Sequence, residues 1–140
     1  MELKRVYNKN FPFPGYIAFT FYPWVFIREK AKARYTGTAD RHEHTHGYQQ
    51  IEMLIVGLVV TAILFLIGAG WWSLFGIPAF FELYFLEWII KIPLCSFNTS
   101  NAYKSISFEQ EAYEHEDEVG YNHVRHHYAW VKYIFSLVNC

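Results

Sequence analysis

The chain has 140 residues, enough for one domain with a modest core and too few for two ordinary domains. Its net charge is −1 and its isoelectric point is about 6.6, so the overall charge gives no indication of a nucleic-acid partner. Aromatic residues make up 21% of the chain and lie beside long aliphatic runs, and all 12 Lys and Arg residues lie outside residues 42–90. This segregation is typical of a membrane protein.

Residues 15–29 predict a β-hairpin, because they are rich in aromatic and β-branched residues and Pro23 would interrupt a helix. The two strands are expected at about 17–21 and 24–28. A basic, turn-rich connector follows, and Asp40 with Glu43 three residues later resembles a capping box, with Thr38 as the other candidate cap. A helix is therefore predicted to begin near residue 40.

This helix is expected to run over residues 40–71, since its second half is almost entirely apolar and no proline occurs before Pro78. At ~1.5 Å per residue, the stretch from Ile51 to Trp71 would cross about 30 Å, which matches the hydrocarbon core of a bilayer. A second span at 73–92 would complete a transmembrane hairpin.

Glu82 and Glu87 interrupt the second span, and hydrogen bonds to Thr61 or a tryptophan are expected to satisfy them. Amphipathic helices are predicted at 102–118 and 123–137. Cys95 and Cys140 form no metal or disulfide pattern. The chain is thus predicted to be a single, mainly α-helical membrane domain covering 1–140.

The basic residues predict the orientation. Eight of them precede the first span, none lies in residues 69–77, and four lie at or after the end of the second span. Both termini are therefore expected in the cytoplasm, in a bacterial inner membrane, and the segments around His42 and Glu109 would share the cytoplasmic face. The start of the chain does not resemble a cleavable signal, since three prolines follow the basic residues.

A metal-binding pattern lies at the start of the first span. The segment from His42 to His46 fits H-E-x-x-H, in which two imidazoles four residues apart lie on one face of a helix and can bind one Zn²⁺. Glu43 would act as the general base toward a zinc-activated water molecule. His44 points elsewhere on the helix.

A third ligand is needed, and the downstream acidic segment offers Glu109 and Glu111. These two residues face nearly opposite sides of a helix, so only one can reach the metal. Glu109 is favoured because it shares its face with the small Ala112, which allows close helix packing, whereas Glu111 belongs to an acidic stripe. Glu111 is the alternative ligand.

"HEHTH", two apolar segments and "SFEQEAY" together resemble the membrane-embedded gluzincin metallopeptidases, in particular the CAAX prenyl protease and heat-shock membrane protease group. The resemblance implies that His42, His46 and Glu109 are zinc ligands, that Glu43 is catalytic, and that a strand edge holds an extended peptide or membrane-protein substrate. The order of motifs from Gly15 to Ile134 also resembles a set of short bacterial membrane proteins. Tyr113 replaces an Asp of the peptidase motif, so support for a ligand histidine must come from elsewhere.

Other interpretations remain open. Residues that could support the metal or stabilise an oxyanion are Tyr113, Tyr121, His123, His126 and His127. The last three could instead join His42 and His46 in histidine boxes like those of di-iron membrane desaturases and hydroxylases. A further alternative is a membrane protein that binds metal without catalysis.

Overall fold

The computed structural model describes residues 1–137 and 140, and it is mainly helical with one small sheet. The strands are β1 (Lys4–Asn8), β2 (Ala18–Phe21) and β3 (Trp24–Arg28). The α-helices are α1 (Gly37–Leu66), α2 (Ala79–Leu94), α3 (Thr99–Lys104), α4 (Ser107–His115) and α5 (Tyr121–Val124). Short 3₁₀ helices occupy Glu29–Arg34, Gly70–Gly76 and Ala129–Tyr133.

The sheet has the strand order β1-β3-β2. β2 and β3 form an antiparallel pair in the predicted region, and β1, which was not predicted because its residues are mostly polar and exposed, adds in parallel to β3. Gln50 of α1 closes part of the outer edge of β2. Its Nε2 donates to the Thr20 carbonyl at 2.8 Å, and its Oε1 accepts from the Tyr22 amide at 2.8 Å.

α1 begins earlier than predicted. Thr36 is its N-cap residue, and the helix starts at Gly37, so the predicted capping box at Asp40 and the alternative cap at Thr38 are wrong. Asp40 instead accepts hydrogen bonds from Arg5 and from Tyr35, both at 2.9 Å. These contacts attach the start of the helix to β1 and to the connector before it.

The two halves of α1 differ in burial. The first half, up to Met53, is largely buried against the sheet and α4, while most side chains from Leu54 onward are exposed and apolar. At 30 residues, α1 is long and apolar enough to cross a membrane. An apolar surface of this extent in a folded chain indicates contact with lipid or with another protein.

The predicted hairpin of two spans is not confirmed. The chain between residues 70 and 94 forms a 3₁₀ helix and then α2, with a bend of 72° between them. The bend lies at Ile77 and Pro78, where proline supplies no amide hydrogen for a continuous helix. α2 has 16 residues, or about 24 Å, and would cross a bilayer only together with the 3₁₀ segment.

Two glycines allow this 3₁₀ segment to pack closely on α1. A Cβ atom on Gly57 would lie 2.0 Å from the Gly76 carbonyl oxygen, and a Cβ on Gly76 would lie 2.4 Å from Thr61 Oγ1. Backbones approach this closely only where small residues face each other.

The sequence predicted that Glu87 bonds to Thr61 or to a tryptophan, but Glu87 bonds to neither. It pairs with Lys91 at 2.6 Å and accepts hydrogen bonds from the amide of Ser107 at 2.9 Å and from its hydroxyl at 2.7 Å. A carboxylate at this point satisfies one of the free amides at the start of α4. Glu82 is exposed, and none of the described residues bonds to its side chain.

The C-terminal third contains shorter and more numerous helices than predicted. The helix expected at 102–118 is replaced by α3 and α4, which are separated at Ser105 and Ile106. The helix expected at 123–137 is replaced by α5 and the 3₁₀ helix Ala129–Tyr133. Tyr128 between them has a positive φ of 58°, which no continuous right-handed helix contains.

A disulfide joins Cys95 to Cys140. It attaches the last residue of the chain to the C-terminal end of α2. The sequence did not indicate this pair, because 45 positions separate the two residues and neither lies in a cysteine motif.

Substitution of Gly57 by alanine tests the packing of the 3₁₀ segment on α1. Helix propensity alone would make Gly57→Ala stabilising by about 1 kcal/mol. Because the new methyl group would overlap the Gly76 carbonyl, we expect instead a loss of about 1–3 kcal/mol in the free energy of unfolding. Thermal unfolding in detergent measures this, with Ala62→Leu on the exposed face as the control. A raised unfolding temperature for Gly57→Ala would contradict the packing.

Candidate metal centre

The first half of α1 and the first turn of α4 bring three side chains together. His42 Nε2 and His46 Nε2 are 3.1 Å apart. Glu109 Oε2 is 3.4 Å from His42 Nε2, and Glu109 Oε1 is 3.3 Å from His46 Nε2. All three residues are buried, and within residues 1–137 and 140 no other group of three His, Cys, Asp or Glu side chains has its ligand atoms so close together.

The distances fit a metal ion. Four ligands at zinc-like bond lengths of about 2.0–2.1 Å lie about 3.3 Å from one another in a tetrahedron. The two nitrogens are 3.1 Å apart, and each lies 3.3–3.4 Å from a different oxygen of Glu109. With one ligand atom from each residue, the three atoms lie within 4.8 Å of one another. The group could therefore hold a metal ion once one Glu109 oxygen turns toward both histidines, and three protein ligands would leave a fourth tetrahedral position free.

The outer nitrogens of both histidines are already bonded. His42 Nδ1 lies 2.9 Å from Glu116 Oε2, and a carboxylate can only accept, so this nitrogen carries the hydrogen. His46 Nδ1 lies 2.8 Å from Gln49 Oε1, and the Gln49 amide nitrogen donates to the Phe108 carbonyl at 3.0 Å. With Nδ1 as donor, each neutral ring directs the lone pair of its Nε2 into the site.

Glu109 also presents an unused acceptor. Its Oε1 accepts a hydrogen bond from the Tyr84 hydroxyl at 2.7 Å, whereas none of the donors in the described part of the chain bonds to its buried Oε2. Buried acceptors normally have a partner. Two imidazole lone pairs and a carboxylate oxygen thus converge on one point that favours a cation.

The pKa values of these groups reflect the same preference. Burial lowers the pKa of His42, but the carboxylates of Glu109 and Glu116 close to its ring raise it more, to about 10. Burial raises the pKa of Glu109, and the close approach of the His46 and His42 rings lowers it to well below its usual value. The site thus stabilises positive charge between the rings and negative charge on Glu109.

Glu43 lies beside this group on the same helix. It is buried, and its Oε2 accepts a hydrogen bond from the Thr20 hydroxyl of β2 at 2.7 Å. Its negative charge contributes to raising the pKa values of both His42 and His46, so it is within electrostatic range of the two rings. The sheet therefore fixes the carboxylate that the sequence assigns to catalysis.

Glu111, the alternative ligand, points away from the histidine pair. Its carboxylate accepts hydrogen bonds from Arg125 and from the Tyr121 hydroxyl, the latter at 2.9 Å. Tyr121 also stacks on His115 at a ring distance of 3.8 Å. Tyr121 is therefore committed to Glu111, and the structure does not bring it to the metal group.

Tyr113 is the tyrosine beside the site. Its ring contacts the His42 ring edge-to-face at 4.6 Å, and it is half exposed. Burial and the negative charges of Glu109, Glu116 and Glu43 raise the pKa of Tyr113, so its hydroxyl keeps its proton and can donate a hydrogen bond.

The three later histidines do not join the group. His123, His126 and His127 are exposed, and the Nδ1 of His127 lies 3.4 Å from Glu52 Oε1. They do not assemble with His42 and His46 into histidine boxes.

Four supporting residues were not assigned from the sequence: Gln49, Glu116, Tyr84 and Thr20. Gln49 had a local signal, because it follows His46 by three positions and so shares its helix face. No local pattern distinguished Glu116, since it is one of several acidic residues in its segment. Tyr84 and Thr20 come from other elements and depend on the tertiary fold.

No family model, curated protein or solved structure matches this chain.

Removal of one histidine tests whether the group binds metal. We expect wild-type protein purified in detergent to carry one equivalent of zinc and His46→Ala to lose it, because two ligands hold zinc far less tightly than three. His44→Ala is the matched control, since its Nδ1 bonds to the Asp40 carbonyl at 2.7 Å and its ring takes no part in the group. Elemental analysis measures the metal. Equal zinc in wild type and His46→Ala would contradict the site.

Glu116 tests the support of His42. Glu116→Ala removes the acceptor at His42 Nδ1 but keeps the backbone carbonyl that binds Arg41 Nε. We expect zinc affinity to fall about 10–100-fold, as is typical when the partner of a ligand histidine is lost. Competition with a chromophoric chelator measures the affinity. Glu114→Ala, an exposed neighbour on α4, should bind zinc like wild type, and an unchanged affinity in Glu116→Ala would refute this role.

Proposed function

We propose that this chain is a membrane-embedded zinc metallopeptidase, in which His42, His46 and Glu109 hold one zinc ion and Glu43 is the general base. The observation that carries the proposal is the convergence of two imidazole lone pairs and an unpartnered carboxylate oxygen, with a glutamate of the same helix beside them. A His₂Glu set with an open fourth position is the donor set of catalytic zinc sites.

The residues of the chain have separate roles in this reaction. A zinc ion held by His42, His46 and Glu109 would supply Lewis acidity and would lower the pKa of water to near neutrality. Glu43 accepts the proton of the attacking water and passes it to the amine that leaves, and the Thr20 hydroxyl holds Glu43 in position. Tyr113, whose ring contacts His42, would donate a hydrogen bond to the substrate carbonyl oxygen as negative charge develops there.

The proposed location is a membrane, with the second half of α1 in contact with lipid. The distribution of basic residues supports the bacterial inner membrane, with both termini and the metal centre on the cytoplasmic side. The substrate would be a peptide or a segment of a membrane protein. Since Gln50 already occupies the edge of β2 at Thr20 and Tyr22, a peptide strand could pair with that edge only beyond these two groups.

A metal-binding protein without catalysis is the second candidate, and one observation favours it. His42, His46 and Glu43 each expose less than a tenth of their surface, so a substrate must displace part of the surrounding structure to reach them. A di-iron oxygenase is not proposed, because the described residues contain no second group of metal ligands.

Glu43→Gln separates the two candidates. We expect this variant to keep one equivalent of zinc, since Glu43 is not a ligand, and to lose 10²–10⁴-fold in the rate of peptide cleavage, the usual range for loss of a general base. Fluorescein-labelled casein in detergent is the probe. The exposed Glu114→Gln is the matched control. Equal cleavage by wild type and Glu43→Gln would rule out the assigned mechanism, and zinc without cleavage in wild type would support the non-catalytic candidate.

A further inference from the structure

Gln49 is the only contact described for the outer nitrogen of His46, and its amide can be placed in two ways. With the oxygen toward His46, Nδ1 is the donor and the lone pair of Nε2 faces the metal. With the nitrogen toward His46, Nδ1 must accept, the hydrogen moves to Nε2, and the metal is blocked. Whatever decides the orientation of this amide therefore decides whether His46 can bind metal.

Two acceptors fix the amide. Gln49 Nε2 donates to the Phe108 carbonyl and to Glu111 Oε2, both at 3.0 Å. A reversed amide would place its oxygen against these two oxygens and lose both hydrogen bonds. Gln49 and Glu111 are fully buried, so water cannot replace the lost partners.

Arg125 in turn keeps Glu111 an acceptor. Its Nε lies 2.5 Å from Glu111 Oε1, and its Nη2 lies 3.1 Å from Glu111 Oε2. The same guanidinium binds both oxygens of Glu52, at 2.5 and 3.0 Å, and its side chain is only 3% exposed. Because a guanidinium has only N–H donors, both oxygens of Glu111 face it as acceptors.

We infer that Glu111 and Arg125 are positioning residues for His46, which act through the amide of Gln49 although neither bonds to the metal group. The sequence suggested Glu111 as the alternative metal ligand. The inference gives it a different role, because it orients His46 and does not bind the metal. The inference rests on the metal site of the proposed function but not on its hydrolytic chemistry.

Glu111→Gln tests this relay, the series of contacts from Arg125 through Glu111 and Gln49 to His46. The new amide keeps its oxygen at the Oε1 position, where Arg125 Nε and the Tyr121 hydroxyl donate. Its nitrogen would then stand at the Oε2 position, against Gln49 Nε2 and Arg125 Nη2. Gln49 would reverse to accept from it and would give up its bond to the Phe108 carbonyl. His46 would then present a hydrogen at Nε2, and we expect the affinity for Co²⁺ to fall about 10–100-fold. Cobalt is the probe because its visible absorption reports four-coordinate binding. The exposed Glu114→Gln should bind cobalt like wild type.

A swap of the two residues distinguishes positioning from general loss of structure. In Gln49→Glu/Glu111→Gln the carboxylate at 49 accepts from both His46 Nδ1 and the new amide, and the net charge of the chain is unchanged. The Phe108 carbonyl lacks its donor in this variant as it does in Glu111→Gln, so the comparison of the two variants isolates His46. We expect cobalt affinity to recover at least tenfold over Glu111→Gln, although Arg125 still lacks the Glu111 carboxylate. If Glu111→Gln does not fold, Gln49→Leu, which leaves Glu111 intact, should show the same loss of affinity.

The outcomes are distinct. Wild-type affinity in Glu111→Gln or in Gln49→Leu, or no recovery in a folded swap variant, overturns the relay alone. Failure of wild type to bind cobalt overturns both the relay and the metal site. If cobalt affinity falls in Glu111→Gln and recovers in the swap variant, the relay is supported. If the wild type also cleaves no peptide, only the hydrolytic part of the proposed function fails.

Discussion

The structure depends on the contact between the first half of α1 and the start of α4, where two imidazole nitrogens and a carboxylate meet in a buried space. Three acceptors at such distances repel one another unless a positive charge lies between them. Neighbouring side chains hold the three residues in place through hydrogen bonds to the atoms that face away from the site. Glu116 and Gln49 hold the rings, and Tyr84 holds Glu109. Stability at this point thus depends on positive charge between or on the rings, supplied by a proton or by a bound cation.

α4 has its position because α2 and the C-terminal segment hold both of its sides. Glu87 binds the first amide of α4 two residues before Glu109, and Lys91 beside it donates to the carbonyls of Ser105 and Ser136. A buried ion pair of this kind contributes little net stability, but removal of one partner leaves an uncompensated charge. Glu87 and Lys91 therefore act mainly to fix where the third acceptor lies relative to the histidines.

Local patterns were sufficient for part of this centre. The spacing of His42 and His46 predicted that their rings share one helix face, and the small Ala112, which is fully buried, indicated the side of α4 that packs closely. The antiparallel strands followed from aromatic and β-branched residues around Pro23.

The rest required the tertiary structure. The bonds of Gln49 to Phe108 and of His42 to Glu116 join residues 59 and 74 positions apart, and nothing local distinguishes Glu116 from the acids around it. β1 was missed because its polar residues depend on pairing with β3, and the close approach of Gly76 to Gly57 depends on how the 3₁₀ segment packs on α1. The start of α4 at Ser107 depends on Glu87, a residue of another helix that accepts the hydrogen bond of its first amide.

The side-chain amide of Gln50 has a consequence for how copies of this chain meet. An open strand edge is a template for pairing with another molecule, and this sheet has two edges, β1 and β2. Gln50 bonds to the carbonyl of Thr20 and the amide of Tyr22, so a second molecule cannot use those groups. On the other edge, the exposed Lys4 opposes pairing with another copy through like charge, while Arg5 is paired with Asp40. The sheet is thus protected against edge-to-edge aggregation, although aromatic side chains such as Phe19 and Phe21 remain exposed on it.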